Sequence, residues 1–176
     1  MKNKFKIVIP SYNNEQWLET NIESILEQDY DNYEVLYIDD CSTDNTKSLV
    51  ENMVGDNPKF QIHTNEKNMK RGYNIAPKNL EHFFDDEEDI LVFIDGDDWL
   101  PTSDVFSKLN NFYNKNKCWM TYGGMVCWEG GDDVTPANPQ NTPYEHNVHS
   151  NQFYRRDMWR ASHLRSFKWH LYKQIR

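Results

Sequence analysis

Asp89-Ile90-Leu91-Val92-Phe93-Ile94-Asp95-Gly96-Asp97-Asp98-Trp99 runs five apolar residues straight into a glycine flanked by carboxylates. The run is too short for a helix of its own and is rich in β-branched and aromatic types. It reads as a strand buried on both faces. Asp95, Gly96, Asp97 and Asp98 follow at its C-terminal end, and in an open α/β sheet that edge is where ligands bind. In an extended segment Asp95 and Asp97 point the same way, about 6–7 Å apart. At an effective dielectric of about 20, two ionised carboxylates at that distance repel by about 2–3 kcal/mol.

A sequence that carries such a cost gains from a cation there. Oxygen-only ligands on a small, partly open site suit Mg2+ or Mn2+, with a ligand's phosphates completing the shell. Asp-Gly is equally a common turn signal, and acidic turns usually face water. The rest of the chain decides between these readings.

Upstream, Phe5 to Pro10 reads as a first buried strand, and Asn13 with Gln16 has the capping-box pattern for the helix that follows. Leu18, Ile22, Ile25 and Leu26 form its apolar stripe. Tyr33 to Ile38 is a second strand ending in Asp39 and Asp40. Ser42 or Thr43 caps a helix to about Met53, with Leu49, Val50 and Met53 inward. Phe60 to His63 is a short third strand, and the polar loop after it carries Lys67, Lys70 and Arg71. A helix is expected from about Tyr73 to Phe84, with Pro77 in its first turns.

Downstream, a helix after Pro101 has Val105, Leu109 and Phe112 on one face, and Trp119 to Trp128 reads as a further strand. Glu129 to Ser150 shows no periodicity and reads as a long, functional or disordered loop. Phe153 to Ala161 reads as a short helix, and His163 to Arg176 is a basic, aromatic tail without an assigned element. Strands alternating with helices imply right-handed crossovers and a mostly parallel sheet. Asp39, Asp40, Asp95 and Asp97 then share one rim.

At 176 residues the chain is one domain, able to bury about 70% of its unfolded surface. A net charge of −9 argues against a nucleic acid or an anionic membrane as the main partner. A divalent cation with a few local bases would let so acidic a chain hold an anionic ligand. Cys41, Cys118 and Cys127 have no metal-ligand spacing and leave one thiol over in any disulfide scheme, as expected of a reduced, intracellular protein. Lys2-Asn3-Lys4 precedes too short an apolar run for a signal peptide, and no later run has membrane-spanning length. The expectation is a soluble cytoplasmic protein, at most peripheral on a membrane.

Ile7-Val8-Ile9-Pro10-Ser11-Tyr12-Asn13, then Ile38-Asp39-Asp40-Cys41-Ser42-Thr43-Asp44, then Phe93-Ile94-Asp95-Gly96-Asp97-Asp98 resembles the family-2 glycosyltransferases of the GT-A fold, a Rossmann-like, mostly parallel sheet flanked by helices. The resemblance covers residues 4 to 128 well and the remainder, 129 to 176, weakly. It implies a metal-dependent, inverting hexosyltransferase that moves sugar from a UDP-sugar to a hydroxyl of a carbohydrate, protein or lipid acceptor. Pro10, Ser11 and Tyr12 would line the nucleotide pocket, Glu15 would lie near ribose or base, and Asp39 would accept the uracil N3–H. Asp40 would join them or simply cap the following turn. Arg71 would approach the base or the diphosphate, with Lys78 as its rival.

By the same resemblance, Asp97 would hold Mn2+ or Mg2+ at the diphosphate. Asp95, beside Gly96, would contact the ribose or a metal-bound water, and Asp98 would orient the donor sugar. Trp99 reads as core packing. An inverting member needs a general base. Asp157 is the only carboxylate after Glu145 and looks too early by register, so the base and the acceptor segment are expected to be missing from this chain. His163 is a weak metal candidate, with His146 and His149 weaker. Two other readings stand beside an active transferase. One is a donor-binding part of a larger enzyme, with little activity alone. The other is a sugar nucleotidyltransferase, disfavoured because Ser11-Tyr12-Asn13-Asn14 is no glycine-rich phosphate loop.

Overall fold

The computed structural model describes residues 1–123, 126–128, 134–136 and 162–175. Its strands are β1 (Phe5–Ser11), β2 (Tyr33–Asp39), β3 (Phe60–Thr64), β4 (Ile90–Phe93), β5 (Met120–Gly123), β6 (Val126–Trp128), β7 (Val134–Pro136) and β8 (Ser162–Lys168). Its helices are α1 (Leu18–Leu26), α2 (Thr46–Val54), α3 (Arg71–Asn74), α4 (Pro77–Leu80), α5 (Val105–Asn116) and α6 (Trp169–Tyr172). Among the described residues one six-stranded sheet runs in the order β3-β2-β1-β4-β8-β5, with β6 and β7 paired separately. β1 to β4 are mutually parallel, and β8 runs antiparallel between β4 and β5.

The strand alternation sorts the core into two layers. Ile7, Ile9, Val35, Tyr37, Ile90 and Val92 face α1, α2 and α5. Val8, Leu36, Ile38, Leu91 and Phe93 face Leu80, Phe83 and α6. Both layers are buried, so β1, β2 and β4 carry apolar residues at every position near the sheet's centre, as parallel strands covered on both sides require. Each such side chain contributes about 1.5–3 kcal/mol by leaving water.

Several local expectations are corrected. Asn13 does not cap α1: its Oδ1 accepts the Thr43 N–H at 2.8 Å, and α1 begins later, at Leu18. Leu26 is 40% exposed at the end of α1, and Asn21 is wholly buried in the helix instead. The expected helix from Tyr73 to Phe84 is broken into α3, α4 and a 3-10 turn over Glu81–Phe83. Pro77 opens α4, and its predecessor Ala76 is extended, as a pre-proline residue prefers.

In α5 the buried pair is Phe106 and Tyr113, one residue further round than expected, and Phe112 is 51% exposed. The expected strand from Trp119 to Trp128 is two strands in two sheets. The tail left without an element supplies β8 and α6. The long loop contains β7, and the expected helix at 153–161 lies outside the described residues.

Candidate functional site

β1 and β2 end in register, Ser11 opposite Asp39, and the loops beyond them interlock. Asn13 and Cys41 both adopt positive φ, 55° and 63°, which asparagine tolerates better than most side chains. The Asn13 N–H donates to Ser42 Oγ at 3.0 Å, and the Asn14 N–H to Thr46 Oγ1 at 2.9 Å. The Glu15 carboxylate accepts the Asn45 N–H at 3.0 Å and its Nδ2 at 2.8 Å. Asp39, 1% exposed, accepts the Ser42 N–H at 3.3 and 3.4 Å. Tyr37 donates its hydroxyl to Ser11 Oγ at 2.8 Å, and burial raises its pKa.

Asp40 is built into the fold from the other side. Its carboxylate accepts Asn65 Nδ2 at 2.7 Å, the Met69 N–H at 2.7 Å and the Lys70 N–H at 2.9 Å. Burial pushes the carboxyl up, but these hydrogen bonds outweigh it and hold its pKa below the ordinary value. Asp40 therefore ties down the loop that ends in Lys70, itself at φ 70°, and delivers Arg71 at the start of α3. Arg71 Nη2 lies 2.7 Å from Asp95 Oδ1. Lys78, the other basic candidate, is exposed on α4.

The acidic stretch is a turn rather than an extension of β4. The ladder with β1 continues through Ile94 N–H to Val8 O and Gly96 N–H to Pro10 O, and the chain then folds back with the Asp98 N–H on Asp95 O at 3.1 Å. Asp95 and Asp97 thus do not share a strand face. Asp95 is mostly covered and Asp97 is exposed at the turn's centre. Gly96 is obligatory by contact: a Cβ there would meet Asn14 Nδ2 at 2.5 Å and Ser11 Oγ at 2.6 Å. Beneath the turn, Asn21 Nδ2 donates to Asp95 O at 3.1 Å and Asp98 O at 2.6 Å.

The structure therefore brings together Pro10, Ser11, Asp39, Arg71, Asp95, Gly96, Asp97 and Asp98, with Tyr12 45% exposed beside them. Asp40 and Glu15 join through the loops they hold. Asp157, His146 and His149 lie outside the described residues, and of His163 only its place in β8 is described.

Sequence reasoning left Arg165 without a place. It pairs with Phe93 across β4 and β8, two residues before Asp95. Burial pushes the Tyr172 phenol up to about 12, opposed by the nearby charges of Arg165 and Arg71. The apolar residues around Arg165, Leu164 and Phe167, do not alternate and pack in different core layers, so nothing local singled Arg165 out. The signal for Asn21 was a polar residue beside an apolar helix stripe.

Among the described residues no group of three or more His, Cys, Asp or Glu side chains gathers as a cage for a metal ion. An exposed carboxylate beside a base fits a different arrangement, in which a cation is held by one or two carboxylates and the phosphates of a ligand. No helix among the described residues is long and apolar enough to cross a membrane.

Glycosyl transferase family 2 matches residues 6–173. Over 101 residues, 55% of this chain, the sequence is 34% identical to the poly(ribitol-phosphate) beta-N-acetylglucosaminyltransferase TarS of Staphylococcus aureus. The crystal structure of TarS 1–349 in complex with UDP-GlcNAc superposes on 97% of the chain with a TM-score of 0.73 at 21% identity. The mannosyltransferase PcManGT of Pyrobaculum calidifontis, in complex with GDP-Man and Mn2+, matches 71% of it with a TM-score of 0.61 at 22% identity. The chain spans 17% of TarS in the sequence match, 47% of the TarS 1–349 structure and 36% of PcManGT. With a match that runs from β1 into α6, across both the acidic turn and the strand beside it, the chain belongs to glycosyl transferase family 2.

Proposed function

We propose that this chain binds a UDP-sugar with Mn2+ or Mg2+ and passes the sugar, with inversion, to a hydroxyl of a carbohydrate, protein or lipid acceptor. The observation that carries the reading is the Arg71–Asp95 pair at 2.7 Å beside exposed Asp97, on the rim where β1 and β2 end at Ser11 and Asp39. The complexes named for two structural neighbours, one with UDP-GlcNAc and one with GDP-Man and Mn2+, support a nucleotide-sugar at that rim.

Asp39 offers an acceptor-only carboxylate to the uracil N3–H, with Pro10, Ser11 and Tyr12 lining the base pocket and Glu15 at its ribose edge. Asp40 fixes the loop that presents Arg71, and Arg71 rather than exposed Lys78 meets the diphosphate. Asp95 holds the ribose side and Asp98 orients the donor sugar. Asp97, with Asp95 behind it, would hold the divalent cation, which when bound supplies Lewis-acid neutralisation of the departing nucleoside diphosphate. Among the described residues none is assigned as the base for the acceptor proton, and Asp157 is the candidate the sequence offers.

Calorimetric titration of UDP and UDP-glucose with and without Mn2+, followed by donor hydrolysis on the same sample, tests the reading. Mn2+-dependent binding with hydrolysis is the expected result. Binding without turnover would point to the donor-binding part of a larger enzyme. No binding of uridine, guanosine or thymidine diphosphates would overturn it.

A further inference from the structure

α1 and the residues just past its C-terminus carry polar side chains that grip the acidic turn and the segment following it. Asn21 donates to Asp95 O and Asp98 O. Ser24 Oγ accepts the Leu100 N–H at 3.1 Å. Gln28 donates to Thr102 O at 2.7 Å and accepts the Phe106 N–H at 3.1 Å. Residues 95 to 106 are thereby laid along α1 and the turn that follows it, with the acidic turn held by Asn21 and the opposite end by Gln28.

Asn21 differs from the other two in what it holds. Asp95 O and Asp98 O are the first and last carbonyls of the turn whose centre is Gly96-Asp97. Two carbonyl oxygens converging on one atom require two protons from it, which a side-chain amide nitrogen provides and a hydroxyl does not. The Asn21 side chain is wholly buried, and its Oδ1 has no hydrogen-bond partner among the described residues. Leaving a buried acceptor unpaired disfavours folding. An apolar residue at this position would avoid that penalty but leave Asp95 O and Asp98 O without this donor, so the use of the amide lies in the turn it holds.

We propose that Asn21 is a positioning residue: by clamping both end carbonyls of the Asp95–Asp98 turn it fixes the direction of the Asp97 carboxylate and so sets the affinity for a metal–nucleoside diphosphate. The inference rests on the donor-site reading above. Asn21→Asp keeps the size but places a carboxylate against two carbonyl oxygens. Asn21→Ser keeps a single proton and serves if the first variant does not fold. Gln28→Ala, which breaks three hydrogen bonds just past the C-terminus of α1, to Ser24 O, Thr102 O and the Phe106 N–H, is the control for a purely structural effect.

Each variant is titrated with Mn2+–UDP and, separately, with metal-free uridine, which engages the Asp39 side of the pocket. The Asn21 variants are expected to weaken Mn2+–UDP by about tenfold or more, the scale of a misplaced group, and to leave uridine within about twofold. Gln28→Ala is expected to lower the urea midpoint while both affinities hold. Equal losses for uridine and Mn2+–UDP, or wild-type affinity for both, overturn the positioning role. Failure of the unsubstituted chain to bind Mn2+–UDP overturns the donor-site reading and this inference with it. Wild-type binding that survives unchanged in Asn21→Asp overturns this inference alone.

Discussion

Arg71 Nη2 sits 2.7 Å from Asp95 Oδ1, joining the tip of the basic loop to the acidic turn across the mouth of the site. Arg71 is about half exposed and Asp95 is mostly covered, so the pair is partly screened by solvent and contributes modestly to stability. On the proposed reading its weight falls on the ligand. Arg71→Ala is expected to weaken UDP about tenfold or more, the loss of a charge-assisted hydrogen bond, with a smaller change in urea stability. Titration at low and high salt checks it, because the wild-type affinity should fall more steeply with salt than the variant's.

On the proposed reading, the two carboxylates at either end of the site, Asp39 and Asp97, separate base from phosphate. Asp97→Asn is expected to remove the Mn2+-dependent part of UDP binding and leave uridine binding in place. Asp39→Asn is expected to weaken uridine with or without Mn2+. Calorimetry on the four combinations checks both, and matching losses in the two variants would contradict the assignment.

Gly96 admits no side chain. In Gly96→Ala the new Cβ would lie 2.8 Å from Ser11 Cβ and nearer still to Ser11 Oγ and Asn14 Nδ2. The expected cost is about 1–3 kcal/mol from overpacking, measured by urea unfolding. Ser11→Gly in the same chain should recover part of it.

Acid stability has a defined sign. At the far end of the sheet Lys6, 1% exposed, meets Glu34 at 2.6 Å and Asp85 at 2.8 Å. Hydrogen bonds from Lys6 and Lys4 hold the Asp85 carboxyl down at about 2. Because the folded value lies below the unfolded one, its stabilisation is complete above about pH 4 and is lost as pH falls toward about 2. Urea midpoints between those limits should fall less steeply in Asp85→Asn than in the unsubstituted chain.

The parts of the fold legible in the sequence were those whose signal is local. β4, β1 and β2 announce themselves by apolar runs that end at the rim, and Asp39, Asp40, Asp95 and Asp97 are adjacent to those ends. β8 was illegible for a physical reason. Its centre, Ser166, is wholly buried but polar, satisfied by the Tyr113 hydroxyl at 2.9 Å and Thr121 Oγ1 at 2.6 Å. A buried serine looks like loop until its partners, 45 and 53 residues away, are known. The Asp-Gly pair left both an extended segment and a turn open, and the hydrogen bonds that brace the turn come from Asn21, which lies 74 and 77 residues upstream of the carbonyls it meets.

Placing β8 between β4 and β5 also dictates an order of events at the ribosome. β4 is made early, yet the strand that covers its open edge begins only at Ser162. Until then the nascent chain shows an unpaired, wholly apolar edge from Ile90 to Phe93, the kind of template that recruits other chains. The strand carrying the acidic turn is thus completed by a segment synthesised well after it, and release of a chain cut short before β8 should yield aggregate rather than a smaller folded domain.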